Sequence, residues 1–199
     1  MSVLVINNLS FGYRQGEALY EGFSLEVKRG EVVAILGPSG IGKSTLFELI
    51  GGFLTPWSGT IWHGRLAQVY QDPYSSFHPS YTIASSISHV SLLDQQEITT
   101  LVTKMGLESS LLARYPHELS GGQLQRFSIA RALSMKPDLL LADEPVSSLD
   151  LSTQLEVMQL MLAGLSAYGL LLVTHDEALA NWCADRIVRL THQVRTRSD

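Results

Sequence analysis

The chain has 199 residues, of which 45% are hydrophobic and 17% charged, and this length suits one domain with a substantial core. The formal net charge of −5 gives no electrostatic case for nucleic acid, which is therefore not an expected partner. The single cysteine, Cys183, excludes an internal disulfide and suits a reducing compartment.

The first third of the chain is predicted to consist mainly of strands. Two strands, at 3–13 and 23–30, flank a turn, and a buried strand at 31–36 leads into a helix from about Gly42 to Ile50. Short strands that return to the sheet are predicted within 59–71. Apolar runs stay well below the roughly 18 residues of a membrane-spanning helix, so the chain is not expected to cross a membrane itself.

The rest of the chain alternates helices with buried strands, after a mostly helical middle segment at 72–119. Such alternation predicts an α/β fold with a mainly parallel sheet, into which the middle segment is inserted. The predicted elements are helices at 120–133, 152–165 and 176–184 and strands at 138–143, 170–175 and 186–190.

A glycine-rich loop, GPSGIGKST, matches the pattern G-x-x-x-x-G-K-[ST]. It lies between an apolar strand and a helix, the context that a phosphate-binding loop requires. Its glycines let the backbone curl, so that N–H groups and the positive end of the helix favour a phosphate. Lys43 would supply a charge to the β- and γ-phosphates, and the Ser44 hydroxyl is a hard oxygen ligand for Mg²⁺. The predicted ATP-binding residues of the loop are Gly37, Pro38, Ser39, Gly40, Ile41, Gly42, Lys43, Ser44 and Thr45.

Two acidic residues follow the buried strand LLLAD, of which Asp143 is the last residue. The carboxyl ends of parallel strands open onto the ligand crevice of such a sheet. Asp143 is therefore a candidate for holding Mg²⁺ through water, and Glu144 for orienting and polarising the attacking water. A solvated turn without a catalytic role is the alternative interpretation.

Two further side chains are candidates for contacts with the nucleotide. His175 follows a buried strand and is expected at the same edge of the sheet as Asp143, where it would contact a γ-phosphate or hold a water. Tyr13 lies in a predicted turn before the phosphate loop, and its ring would stack on a purine. The alternatives are a hydrogen-bonded structural histidine and a packing tyrosine.

A second glycine pair stands in the sequence LSGGQ. Ser120 is predicted to cap the following helix, and Gly121 and Gly122 to expose its first N–H groups, which makes a second anion site. One nucleotide has one γ-phosphate, which the first loop already holds. The second site therefore suggests the nucleotide of another copy, related by a two-fold axis. A plain helix cap is the alternative.

Together these motifs resemble the ATP-binding cassette family, the nucleotide-binding domains of ABC transporters. The likeness rests on GPSGIGKST, LSGGQ, LLLADEP, SSLD and the histidine of VTHD, in this order. It implies a single ABC ATPase domain over 1–199, with a P-loop NTPase (RecA-like) core at about 1–73 and 137–199. It also implies an N-terminal antiparallel β part within this α/β fold, and a helical subdomain at about 74–136.

The resemblance further implies that one turn of this chain acts on the nucleotide of a second subunit. Asp150 matches the aspartate of the D-loop, at the interface of an ATP-closed dimer. The residues implied to contact ATP in trans are Ser120, Gly121, Gly122 and Gln123.

Roles for the remaining candidates follow from the same resemblance. Gln71 matches the Q-loop glutamine, which senses Mg²⁺ and water, and Tyr13 matches the aromatic residue that stacks on adenine. Glu144 matches the catalytic glutamate and His175 the switch histidine. The implied catalytic residues are Glu144, His175, Lys43 and Gln71, and the implied Mg²⁺ ligands are Ser44, Gln71 and Asp143.

A narrower likeness concerns 71–83 and 115–133, which are similar to the ATPases of the peptide/nickel uptake group of ABC importers. That group moves peptides, metals or metal chelates. The likeness implies three partners: a second ATP-binding subunit, identical or related, transmembrane permease subunits and a solute-binding protein. It also implies a cytoplasmic protein, peripheral on the inner face of the cell membrane. The alternatives are a soluble ABC-type ATPase not coupled to transport and a regulatory module that binds nucleotide without hydrolysing it.

The chain departs from the family pattern between the phosphate loop and the Q-loop. Gln71 follows Lys43 by 28 positions, as the numbering shows, and family members usually have noticeably more residues there. The departure puts in question whether the chain forms the edge sheet beside the nucleotide. It does not affect the prediction of the catalytic residues.

Overall fold

An antiparallel sheet is formed by strands from the first third of the chain. The computed structural model describes residues 1–147 and 149–191. Strands β1 (Ser2–Phe11), β2 (Tyr20–Lys28) and β4 (Ser58–His63) form this sheet, with β1 in the middle. β1 ends at Phe11, so Tyr13 lies beyond the strand, in the turn that leads to β2.

The second sheet is parallel and carries the candidate site at one edge. Its strands are β3 (Val32–Leu36), β5 (Leu66–Val69), β6 (Leu139–Asp143), β7 (Gly169–Val173) and β8 (Arg186–Arg189). They are arranged in the order β5-β6-β7-β3-β8. The buried strands of a parallel sheet read as continuous apolar runs, as VVAIL and GLLLV do here. Because all five strands point the same way, the residues that follow β3, β6 and β7 meet at one edge of the sheet.

Six α-helices occur within the described residues. They are α1 (Lys43–Ile50), α2 (Ile83–Ser88), α3 (Gln95–Lys104), α4 (Gly121–Ser134), α5 (Leu151–Ala163) and α6 (Glu177–Cys183). The middle segment contains α2 and α3 together with three short 3₁₀ turns, at Pro73–Ser76, Ser109–Ala113 and Pro116–Glu118. The helical pattern predicted for this segment therefore corresponds to several short helices.

The parallel sheet separates two apolar clusters, because alternate side chains of a strand point to opposite faces. Leu139 and Leu141 of β6 belong to the cluster that includes α1 and the antiparallel sheet. Leu140 and Ala142, the alternate residues of the same strand, belong to the cluster that includes α4 and α5. All four side chains are fully buried, so β6 is fixed from both sides just before it reaches the acidic pair.

The short segment between the phosphate loop and Gln71 still completes the antiparallel sheet. β4 pairs with β1 from Asn7 opposite Thr60 to Leu4 opposite His63, whereas β5 pairs with β6. The short strands predicted within 59–71 thus enter two different sheets. The predicted α/β fold, with its mainly parallel sheet and antiparallel part, is confirmed. Among the described residues there is no helix that is both long and apolar enough to cross a membrane.

Candidate nucleotide-binding and catalytic site

The loop between β3 and α1 is shaped by glycines that no other residue could replace without strain. Gly40 and Gly42 have φ angles of 79° and 110°, in the left-handed region that favours glycine. A Cβ atom on Gly37 would lie 2.9 Å from the side chain of Ile41 and 3.1 Å from the carbonyl oxygen of Leu190. The loop is therefore held tightly against the strand edge, with its backbone curled.

The start of α1 is open to an anion. Gly42 occupies the N-cap position, where no side chain caps the helix, and the first turn contains no acidic residue. The first N–H groups of a helix have no partner within the helix, and they carry its positive dipole end. Such an N-terminus is suited to binding a phosphate group.

The ammonium group of Lys43 lies inside the loop. Lys43 is only 9% exposed, and its Nζ donates to the carbonyl oxygens of Gly37 (2.7 Å) and Pro38 (3.0 Å). An ammonium group has three donors, so one remains for a phosphate oxygen. The loop thus combines backbone N–H groups with a buried positive charge.

A cavity of about 440 Å³ lies beside this loop, within the size range of small-molecule sites. It is lined by Tyr13, Leu19, Ser39, Gly40, Gly42, Lys43, Ser44, Thr45, Gln71, Asp143 and Glu144. Most of the residues predicted to bind ATP or Mg²⁺ in this chain therefore lie around one space, although the sequence places them as much as 130 positions apart (13 to 143).

Tyr13 reaches the cavity from the antiparallel sheet. Its hydroxyl group forms a 2.9 Å hydrogen bond with Oγ1 of Thr45, and its ring packs edge-on against Phe11 at 5.3 Å between centroids. The Tyr13 side chain is nevertheless 67% exposed. The ring is thus anchored at the mouth of the cavity while most of its surface stays available to a base.

Two residues where β2 begins also shape this space: Leu19 directly precedes the strand and Tyr20 is its first residue. Sequence reasoning did not identify them. Leu19 lines the cavity, and a Cβ atom on Gly42 would lie only 3.0 Å from its side chain. The buried hydroxyl group of Tyr20 donates to the carbonyl oxygen of Gly42 (2.8 Å). Neither residue belongs to a recognisable motif. The signal available in the sequence was only their position in the turn that contains Tyr13.

The environment of Asp143 disfavours its ionised form, which a nearby cation would stabilise. Burial, and next the negative charge of Glu144, raise the pKa of Asp143, while Lys43 and a hydrogen bond from Ser44 act in the opposite direction. A nearby cation would offset the cost of burying this carboxylate. The groups at this point that could bind a metal ion are the Ser44 hydroxyl, the Asp143 carboxylate and the Gln71 amide.

These three groups fit a Mg²⁺ ion that takes only some of its ligands from the protein. Mg²⁺ prefers oxygen ligands and usually keeps several waters and substrate phosphates, with only one or two carboxylates from the protein. Within the described residues there is no cluster of three or more acidic, histidine or cysteine side chains that would hold a metal without a substrate. The observed donors therefore suit a metal that arrives with a nucleotide.

Glu144 is held by contacts from two sides. Nε2 of Gln71 donates to its Oε2 (3.2 Å), and Nδ1 of His175 forms a 2.8 Å hydrogen bond with its Oε1. Its own N–H group donates to the carbonyl oxygen of Val173 (2.9 Å). The φ angle of Glu144 is 45°, a conformation that costs free energy in a residue other than glycine and persists where the surroundings enforce it.

The LSGGQ turn begins α4 and forms a complete helix cap. The N–H group of Gln123 donates to Oγ of Ser120 (3.3 Å), and the N–H group of Ser120 donates to Oε1 of Gln123 (3.0 Å). The space beside Gly121 is open, since a Cβ atom there would have no heavy atom within 4 Å outside its own helix. The plain capping role is thus real, and the backbone of Gly121 remains accessible as well.

This turn does not line the cavity of its own chain. Instead it lies near Asp150, since a Cβ atom on Gly122 would be 3.2 Å from the side chain of Leu149. Asp150 caps α5: its Oδ1 accepts from the N–H group of Thr153 (3.0 Å). Hydrogen bonds from Ser152 and Thr153 lower the pKa of Asp150. The turn and Asp150 therefore share a region apart from the phosphate loop cavity.

Comparison with known proteins matches residues 20–147 to the family described as ABC transporter. A probable peptide ABC transporter ATP-binding protein of Sinorhizobium fredii is 36% identical over 194 residues, which cover 84% of this chain and 55% of the relative. The oligopeptide transport ATP-binding protein AppF of Bacillus subtilis is 35% identical over 195 residues, which cover 84% of this chain and 59% of the relative. This chain therefore spans somewhat more than half the length of these relatives.

The fold also matches solved structures. A dimeric ATP-binding cassette in a post-hydrolysis state, bound to ADP and Pi, superposes with a TM-score of 0.81 at 28% sequence identity. The match covers 94% of this chain and 94% of that cassette. Nearly the whole described fold therefore has a counterpart in one cassette domain.

Proposed function

Because the chain belongs to the ABC transporter family, we propose that it is an ATP-binding and ATP-hydrolysing subunit that powers transport through a partner permease. The single observation that carries this proposal is the cavity in which the phosphate loop faces Asp143 and Glu144. One space thus combines a site for the triphosphate with acidic groups proposed for its hydrolysis. His175 does not line this space but contacts Glu144 from outside it.

Binding of the triphosphate follows from the loop and α1. The N–H groups of the curled loop and of the helix start donate to phosphate oxygens, and Lys43 adds a positive charge in a place shielded from water. Tyr13 supports the base from the other side of the cavity. Ser44, Asp143 and Gln71 would hold Mg²⁺, which neutralises charge on the phosphates when it is bound.

Hydrolysis relies on the position of Glu144. Its carboxylate is held at both oxygens, by Gln71 and by His175, and it orients a water for attack on the γ-phosphate and accepts a proton from it. Because Nδ1 of His175 faces Glu144, Nε2 is the ring nitrogen left to meet the γ-phosphate. Lys43 and the helix start stabilise the charge that develops on the transferred group.

The second anion site completes the cavity of another subunit. In a two-fold dimer, the Ser120–Gln123 turn of each chain contacts the nucleotide held by the phosphate loop of the other, and Asp150 lies at the interface between them. Closure is driven by contacts that exist only when ATP is bound. The partner is identical or related, and self-pairing is the case that the purified chain alone can reveal.

The proposed partners are permease subunits and, in the complete system, a solute-binding protein. The relatives are named for peptide and oligopeptide transport, and we assign this chain to an importer of peptides, metals or metal chelates. The chain then works on the cytoplasmic face of the membrane, attached through the permease. We place its core at about 1–73 and 137–199, of which 148 and 192–199 lie outside the residues that the structure describes, and its helical subdomain at about 74–136.

Release of inorganic phosphate from ATP by the purified chain tests the proposal. We expect steady hydrolysis in the presence of Mg²⁺ and its loss when the metal is chelated. The described residues include no cluster that would hold the metal by itself, so a chelator should remove it. A chain that binds ATP and Mg²⁺ without releasing phosphate would contradict the assigned hydrolytic function. Such a result would favour the regulatory alternative.

A further inference from the structure

The helix that begins with the LSGGQ turn carries a buried amide in its second turn. Gln125 of α4 is only 1% exposed. Its Nε2 donates to the carbonyl oxygen of Pro145 (2.8 Å) and, more weakly, to the carbonyl oxygen of Tyr70 (3.4 Å). One side chain therefore connects three segments that are far apart in the sequence.

The two carbonyl groups that accept these bonds belong to the neighbours of the hydrolytic residues. Pro145 directly follows Glu144, and Tyr70 directly precedes Gln71. The side chains of Gln71 and Glu144 are themselves hydrogen-bonded, at 3.2 Å. The amide of Gln125 thus holds the backbone on both sides of this contact.

Two features indicate that these bonds are needed for more than packing. Oε1 of Gln125 is buried and has no hydrogen-bond partner among the residues that the structure describes, and an orphaned buried oxygen costs free energy. An apolar side chain would avoid that cost, so the donating Nε2 is the part of the amide that the site uses. Glu144 also has the unfavourable φ angle of 45°, which only contacts from its surroundings can maintain.

We infer that Gln125 is a positioning residue that links the two nucleotide sites of the dimer. The inference rests on the proposed function, in which the first turn of α4 contacts the nucleotide of the second subunit. The next turn of the same rigid helix holds Glu144 and Gln71 of its own chain. Binding of ATP in one site therefore positions Glu144 and Gln71 for hydrolysis in the other site.

The test compares two substitutions on the same buried face of α4. Gln125→Met keeps the length and approximate volume of the side chain but removes both donated hydrogen bonds. Ser128→Ala is the matched control, because Ser128 is equally buried and its hydroxyl group donates only to the backbone of its own helix, at the carbonyl oxygen of Gln125 (2.9 Å). Phosphate release by the full purified chain is measured against ATP concentration.

We expect the wild-type rate to depend cooperatively on ATP, with a Hill coefficient above 1. Gln125→Met should lower kcat by about 10-fold or more, since a small misplacement of catalytic groups is costly, and should move the Hill coefficient towards 1. The ATP concentration at half the maximal rate should change by less than about 3-fold, because Gln125 does not line the nucleotide cavity. Ser128→Ala should leave all three quantities within about 2-fold.

The outcomes separate this inference from the proposed function. If the wild type does not hydrolyse ATP, the proposed function itself is wrong. If the wild type hydrolyses ATP without cooperativity, or if Gln125→Met retains the wild-type kcat and Hill coefficient, the linking role of Gln125 is overturned. Should the methionine variant fail to fold, Gln125→Asn is measured instead, because it keeps an amide but shortens its reach. It is expected to lower kcat in the same way and to leave the ATP concentration at half the maximal rate nearly unchanged.

Discussion

Glu144 combines an unfavourable backbone conformation with a carboxylate held at both oxygens. Its φ angle is 45°, and Gln71 and His175 each contact one of its oxygens. Strain of this kind is retained where a side chain must point in one direction. The position of Glu144, more than its chemical type alone, therefore supports the proposal that it orients the attacking water.

Glu144→Gln should separate ATP binding from hydrolysis. The amide keeps the size of the side chain but cannot accept a proton from water, so kcat should fall by about 100-fold or more. ATP affinity should change little, because the phosphate loop is untouched. Phosphate release and equilibrium binding of ATP measure the two effects, and Glu21→Gln, an exposed change on β2, is the control.

This assignment would be refuted by a Glu144→Gln variant that hydrolyses ATP at close to the wild-type rate. A variant that loses ATP binding as well as turnover would instead indicate a role for Glu144 in holding the nucleotide.

At the scale of elements, Asp138 joins the amino-terminal ends of two parallel strands, β5 and β6, to the end of β2. Its carboxylate pairs with Arg29, which follows β2, and accepts a hydrogen bond from the N–H group of Arg65, which precedes β5 (3.0 Å). These contacts lower the pKa of Asp138, with the bond from Arg65 as the largest cause and Arg29 as the next. One side chain thus ties together the starts of β5 and β6 and the end of β2.

Asp138→Asn should therefore reduce stability in a pH-dependent way. A carboxyl group with a lowered pKa in the fold stabilises it above its unfolded pKa, and this contribution disappears as the pH falls through the folded pKa. The free energy of unfolding should drop by about 1 kcal/mol near pH 7. The amount is modest because the side chains of Asp138 and Arg29 are both partly exposed. Urea denaturation of the two proteins should give a constant difference between about pH 5 and 8 that shrinks below about pH 4. A difference that grows on acidification would contradict this account.

Ser120 has two roles that a matched pair of helix caps can separate. Ser120 begins α4 and Asp94 begins α3, each in a capping box with the residue three positions later. Ser120→Ala and Asp94→Ala should each cost about 1 kcal/mol of stability. Only Ser120→Ala should also weaken ATP-dependent dimer formation, because only that turn is proposed to meet a second nucleotide.

Thermal or urea denaturation measures the first effect in these two variants, and light scattering with and without ATP measures the second. Equal dimer formation by both variants would leave Ser120 with a capping role alone.

The local parts of the fold were predictable from the sequence, because they depend on nearby residues. The strand, glycine loop and helix around Lys43 follow from one short motif, and the acidic pair follows a strand of buried leucines. The middle segment was less predictable. Its helices begin where Thr82 and Asp94 provide caps, and they are too short for periodicity to define their ends.

Contacts between distant segments could not be read from the sequence. Three contacts of this kind each join segments that are distant in the sequence. They are the packing of Gly37 against Leu190, the hydrogen bond from Tyr20 to Gly42 and the bonds of Gln125. Local propensity carries no information about such pairs. The completeness of the antiparallel sheet is a further example, since the shortened segment before Gln71 still supplies β4 to pair with β1.

At the scale of the whole molecule, the chain has two proposed anion-binding features that do not line the same cavity. The phosphate loop lies at its own cavity together with Glu144, whereas the LSGGQ turn lies beside Leu149 and Asp150. Exposed apolar side chains occur in the same region, with Leu151 74% and Leu155 42% exposed. A second copy related by a two-fold axis would cover these side chains and bring each turn to the other chain's cavity.

The mass of Glu144→Gln in solution tests this pairing most directly. Sedimentation equilibrium with ATP and Mg²⁺ should give a species of about twice the chain mass of 21.9 kDa, because the nucleotide is bound but not hydrolysed. The same variant with ADP should sediment as a single chain. A variant that is saturated with ATP and still has the mass of one chain would contradict the claim that two copies complete each other's sites.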